Sequence, residues 1–245
     1  MTFHFQPSDD TPEWGDTIAL KFLQQFNNDY PRIETVIQQE FRVETNVREE
    51  IYRAGIFPPN INEVNARSQD GCEVLGTSKN VLTYHQIRNE SGFPHYEPVA
   101  STTFRYLPEY IKFWKPQKIK HISLLYLDIV TIPVRDKIDL DEYFKLGIKF
   151  PDDEFGPVAN FECHLTFPVK LENTQLDVYF QRIPNDQSSQ EMQYFFQWDC
   201  KKTEINSLEP SVVREEMNQI HAYVLSCFEA SFTSQCKELF EPIRE

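Results

Sequence analysis

One acidic side chain stands inside the most apolar stretch of this chain. Lys118 to Val134, KIKHISLLYLDIVTIPV, reads as a long β-strand, and Asp128 shares a face with Ile122, Leu124, Tyr126, Val130 and Ile132. A carboxylate removed from water must be paired, hydrogen-bonded or protonated. Three chemistries follow: a strand-end acid satisfied by an Arg or by backbone donors, a polar anchor inside a ligand cavity between sheet and helix, or a perturbed acid taking part in catalysis. For the cavity, Tyr126 and Asp128 would be joined as ligand-binding residues by Tyr106 and Trp114 of the preceding helical segment.

The other reactive residue types do not assemble into a motif. Cys163 and His164 are adjacent, and neighbours on a strand point to opposite faces, so they cannot make a thiolate–imidazole pair with each other. Cys163, Cys227 and Cys236 read as core thiols on or beside apolar faces. His4, His85, His95, His121, His164 and His221 are scattered without metal-ligand spacing, and Glu215, Glu216 and His221 read as the wet side of a helix. The acidic runs Asp9-Asp10 and Asp152-Asp153-Glu154 lack the alternation and central Gly of a calcium loop. Neither G-x-S-x-G nor a phosphate-cradling loop occurs. The expectation is no catalytic residue set, no metal and no cofactor.

Charge narrows the partners. Lys and Arg number 24 against 38 Asp and Glu, a net charge of −14, which repels a phosphate backbone unless basic residues are gathered on one face. The nearest gathering, Lys112, Lys115, Lys118 and Lys120, straddles a helix end and a strand start. Nucleic acid is therefore not the expected partner. The five cysteines contain no C-x-x-C, which fits a reducing compartment. The start MTFHFQPSDD lacks a secretory pattern and the apolar run Ile122 to Leu127 is far shorter than a bilayer crossing, so the expected location is cytoplasmic.

The elements that must hold these residues alternate along the chain. Phe3 and Phe5 mark a strand, and Trp14, Ile18, Phe22, Leu23 and Phe26 a helix ending before Pro31. Ile33 to Val43 suits a strand better than a helix, and 45–62 reads as irregular surface chain. Val64 to Ile87 is a meander with turns at Asp70-Gly71 and Lys79-Asn80. Glu97 to Trp114 is a helix kinked at Pro108. After the long strand come a short helix from Asp139 to Leu146, an acidic loop from Pro151 to Pro157, and strands at Val158 to Val169, Leu176 to Ile183 and Met192 to Lys201. Pro210 then opens a helix of about thirty residues with a stripe of Val213, Met217, Ile220, Val224, Phe228, Phe232, Cys236 and Leu239. The expected class is α+β: antiparallel sheets each covered on one face by helices, with an internal pseudo-duplication of a β-α-β-β-β-α unit and a long C-terminal helix. The halves would be residues 1–116 and 117–245, packed as one compact unit.

The order FHFQP, RSQDGCEVLGTSKNVLTYHQ, HYEPVASTTFRYLPEYIKFW, the long strand and DLDEYF, closed by IHAYVLSCFEASFTSQCKELFEPI, resembles an uncharacterised, sporadically distributed bacterial family of proteins of about this length. The family's strand carries Arg-Tyr and then Asn where this chain has Leu125-Tyr126-Leu127-Asp128, so no role passes to those positions. The resemblance implies no activity or cofactor; its patchy distribution implies mobile or defence-related gene clusters. The leading expectation is a noncatalytic protein-interaction subunit, using its acidic surface and exposed sheet edges toward a genetic neighbour or in self-association. The alternatives are a small-molecule or peptide binder with a pocket between sheet and C-terminal helix, and an enzyme assembled from dispersed residues.

Overall fold

The computed structural model describes residues 1–38, 41–46, 51–56, 60–87, 95–133, 140–145, 162–183 and 191–239. The chain divides into unit 1, Met1–Lys120 with Asn206–Pro210, and unit 2, His121–Ile205 with Ser211–Glu245.

Unit 1 opens with β1 (Thr2–Gln6) and α1 (Asp16–Leu23), followed by β2 (Arg32–Gln38). The meander is β5 (Asn60–Arg67), β6 (Glu73–Ser78) and β7 (Val81–Gln86), and α2 (Tyr96–Trp114) closes the unit. The strand order is β2-β5-β6-β7-β1, every neighbour antiparallel. Both turn signals have a backbone reason, since Gly71 (φ 77°) and Asn80 (φ 62°) adopt the left-handed conformation that favours those residue types. The expected helical face of α2 buries Thr103, Tyr106, Tyr110 and Trp114 despite Pro108. They pack on β1 and α1: Phe5 stacks on Tyr110 with ring centroids 4.6 Å apart, and Phe22 meets Tyr110 edge-on at 5.5 Å. Lys115 ends α2 in the left-handed region, its N–H donating to the Ile111 carbonyl.

The stretch 45–62 is not irregular. Strands β3 (Phe41–Asn46) and β4 (Ile51–Ile56) pair antiparallel, and β5 begins at Asn60. Gly55 and Pro58-Pro59 read as turn signals and hid the pairing, in which Phe41 lies opposite Ile56 and Val43 opposite Ala54.

Unit 2 takes up β8 (Lys118–Pro133) from His121, then adds β9 (Glu162–Pro168), β10 (Thr174–Ile183) and β11 (Glu191–Ile205). The strand order is β8-β11-β10-β9, with β9–β10 and β10–β11 antiparallel. Asp139 and the acidic loop 151–157 lie outside the described residues. Of the short helix expected there, a 3-10 turn at Leu140–Glu142 is described. It presents Phe144 to Phe180, Phe196 and Phe232 at 5.3, 5.0 and 5.9 Å.

The C-terminal helix is two helices, not one. α3 (Pro210–Ser231) stops, and α4 (Ser234–Glu238) starts after a break at Phe232 and Thr233. The stripe continues through the break, which is why the sequence looks unbroken. Thr233 accepts the Cys236 N–H as an N-cap, and its own N–H donates to the Tyr143 carbonyl at 3.0 Å. The Lys145 N–H donates to Ser231 at 2.7 Å, so the segment around Phe144 takes carbonyl and amide groups that a continuous helix would use internally.

Candidate functional site

The register of unit 2 fixes which side chains share a face. Leu176, Val178 and Phe180 of β10 lie opposite Cys200, Trp198 and Phe196 of β11 on one side, and opposite Phe167, Leu165 and Cys163 of β9 on the other. These form one apolar face; α3, whose Val213, Met217, Ile220 and Val224 are buried, meets it where Phe228 approaches Trp198 at 6.4 Å. The β10 and β11 members are 0–5% exposed. On β9 the same face is open: Leu165 is 38% and Phe167 43% exposed. Among the described residues β9 pairs with β10 alone, so its outer edge has no described strand beside it. An open apolar face and an edge without a described neighbour occur together there.

The opposite face is polar. Thr166 donates to Asp177 at 2.6 Å, His164 stands 3.9 Å from the same carboxylate, and Asp177 lies opposite Asp199 across the strands. Burial, then the neighbouring Asp177 charge, raise the Asp199 carboxyl above its ordinary value.

Asp128 sits on the face that alternation predicts, flanked by buried Leu124 and Val130 and itself half-buried. Among the described residues none pairs with its side chain through a hydrogen bond or ion pair. Burial pushes its carboxyl up to about 6. Its neighbour Tyr126 does have a partner, with the hydroxyl 2.9 Å from His221 Nδ1 on α3. That bond ties β8 to α3.

Tyr106 and Trp114 do not join this pair in the same unit; both belong to the aromatic interior of unit 1. Tyr106 donates to Asp29 at 3.2 Å, contacts the Arg105 guanidinium, and packs against Phe26 at 4.8 Å. Trp114 stacks on Trp14 at 5.6 Å. Beside Tyr106 lies an open depression of about 560 Å³ lined by Asp29, Tyr30, Asp70, Glu73 and Arg105 among others. Its acids are already engaged: Tyr30 donates to Glu73 at 3.0 Å, Ser68 donates to Asp70 at 2.5 Å, and Arg105 pairs with Asp29 at 3.0 Å. Burial and the bond to Tyr106 raise the Tyr30 phenol.

The thiols divide. Cys200 and Cys236 are buried, and burial pushes both up to about 12, away from nucleophilic chemistry. Cys163 and Cys227 are only half-buried, which corrects their expected place in the core. Cys163 lies on β9, the last strand of the described order. Among the described residues no three His, Cys, Asp or Glu side chains are grouped to hold a metal ion. No helix among them is long and apolar enough to cross a membrane.

Sequence reasoning found the alternation of Cys163, Leu165 and Phe167 but not its exposure. An edge strand and a central strand of a two-layer unit read alike; only the strand order separates them. Compared with known proteins, the chain matches no family model, no curated protein and no solved structure.

Proposed function

We propose that this chain is a noncatalytic protein-interaction subunit that takes up an extended polypeptide segment along β9. The observation that carries the reading is the open continuation of the unit 2 core face at Leu165 and Phe167, beside a backbone edge with no described neighbour. An added strand would satisfy that edge with main-chain hydrogen bonds, and its alternate side chains would cover the two apolar groups. Burying a Leu or Phe contributes about 1.5–3 kcal/mol when complete, so two half-exposed ones supply a useful fraction of a binding energy. The polar row on the other face, His164, Thr166 and Asp177, would read the intervening side chains.

The same reading treats the units as two copies of one plan. In unit 1 the order β5-β6-β7-β1 precedes α2; in unit 2 the order β9-β10-β11-β8 precedes α3. Each is a meander whose last strand lies beside the strand that opens its half. A common core on superposing the halves supports the duplication, and its absence removes it.

The binding test is an array of immobilised extended peptides with alternating apolar and polar residues, probed with the full chain and with Leu165→Lys. Loss of binding in the variant, with an unchanged circular dichroism spectrum, is the expected result. Equal binding by both proteins would move recognition away from β9. A second reading, a small-molecule or peptide site between β8 and α3, is favoured by Asp128, which has no partner among the described residues, on the same strand as the Tyr126–His221 bond. A ligand that perturbs the Asp128 titration would support it.

A further inference from the structure

We propose that the strand added to β9 is β9 of a second copy of this chain, the two pairing antiparallel about a two-fold axis at Leu165. This rests on the strand-addition reading above and names its partner. The first argument comes from the strand orders. Unit 1 places β2 outside β5, whereas the matching position outside β9 has no described strand. A strand added there would repeat the arrangement of unit 1.

The second argument is self-complementarity. Two antiparallel strands keep their apolar side chains on one face only if facing residues have numbers of the same parity. Centring the pair on Leu165 satisfies this and engages the whole of Glu162–Pro168. Leu165 then faces Leu165 of the second copy, Cys163 faces Phe167, His164 faces Thr166, and Glu162 faces Pro168. Apolar meets apolar on one face, and no two like charges are opposed on the other. Such an isologous contact closes on itself and makes a dimer rather than a filament.

The third argument is the sparse protection of the edge. Natural edge strands are guarded by Lys, by Pro, by bulges or by several charges. β9 has no Lys, its register with β10 is unbroken, and its one carboxylate, Glu162, and its one proline, Pro168, stand at its two ends, away from Leu165. Each chain carries a net charge of −14, so two copies repel at long range. Salt screens that repulsion, and association through apolar and main-chain contacts strengthens as ionic strength rises.

Sedimentation of the full chain across protein and salt concentration tests the proposal, beside Leu165→Lys, Leu165→Cys and Thr166→Cys. The expected species has twice the 29.0 kDa chain mass, favoured by salt. Leu165→Lys weakens association about a hundredfold or more, equivalent to at least ~2.7 kcal/mol. Mild oxidation links Leu165→Cys chains across the axis, while Thr166→Cys, which would face His164, stays unlinked beyond the wild-type background. A single-chain mass throughout overturns the proposal, as does a dimer that Leu165→Lys leaves intact. The two readings fail separately: a monomer that still binds extended peptides in a Leu165-dependent way overturns self-pairing alone, whereas a monomer that binds none overturns both.

Discussion

Strands β5 and β9 each begin a three-stranded antiparallel meander followed by a long helix, yet they finish in opposite surroundings. On β5, Val64 and Ala66 are fully buried, and β2 lies along the outer side. On β9, Leu165 and Phe167 remain about two-fifths exposed, and no described strand lies outside. Unit 1 also guards its new edge. β2 carries Arg32 and Glu34, its register with β5 shifts between Val36 and Ile37, and Glu34 pairs with Arg67 at 2.7 Å. The contrast teaches that similar alternation in the first strand of a meander goes with burial where a further strand lies outside it and with exposure where none is described.

The largest effect expected separates core from edge within unit 2. Phe196 is fully buried among Phe180, Phe144 and Phe232, so Phe196→Ala costs about 3–5 kcal/mol of stability in denaturant unfolding. Phe167→Ala, on the same sheet face, costs the folded monomer about 1 kcal/mol or less while weakening association. Equal destabilisation by both would mean that Phe167 is a core residue and β9 no open edge.

A second contrast concerns interior polar groups. Unit 1 gives its buried tyrosines hydroxyl partners, Tyr30 with Glu73 and Tyr106 with Asp29, while in unit 2 half-buried Asp128 has none among the described residues. The Asp128 carboxyl is raised in the folded state, so its neutral form favours folding. That contribution is fully present below the ordinary carboxylate value near 4 and is lost as pH rises through about 6. Asp128→Asn is expected to stabilise the chain by about 1–2 kcal/mol at neutral pH and by little at pH near 4. Unfolding curves at the two pH values check this; a stability gain that does not change with pH would show that Asp128 is not the titrating group.

The smallest effect lies at the guarded edge. Glu34→Ala removes an exposed ion pair and is expected to cost half a kcal/mol or so at most, fading with added salt. A large loss would mean that the Arg67–Glu34 pair holds β2 in place rather than decorating it.

Much of this was legible before any coordinates. Alternation located β8 and put Asp128 on the apolar side, because a two-residue period assigns faces without reference to neighbours. The β5–β7 turns were legible because Gly71 and Asn80 tolerate a backbone that other residues resist. The break between α3 and α4 was not, since the stripe from Val213 to Cys236 keeps its phase while the cause, hydrogen bonds to the Phe144 segment, is remote in sequence. The β3–β4 hairpin was hidden by Gly55 and Pro58. Neither could strand order be read, nor that the shared apolar face is covered at β10 and β11 and open at Leu165 and Phe167. Tyr106 and Trp114 look like pocket aromatics in the sequence because residue type does not show which neighbours a ring packs on, and here they pack on Asp29, Phe26 and Trp14 of unit 1.

Amide hydrogen exchange along β9, measured on the full chain from dilute to concentrated solution, tests the open edge most directly. The account predicts that alternate amides between Glu162 and Pro168, those directed away from β10, exchange rapidly at dilution and slow as concentration rises. Amides of β5 should stay slow throughout. Protection of every β9 amide at the lowest concentration, unchanged on concentrating, would show an edge already sealed and would contradict the account.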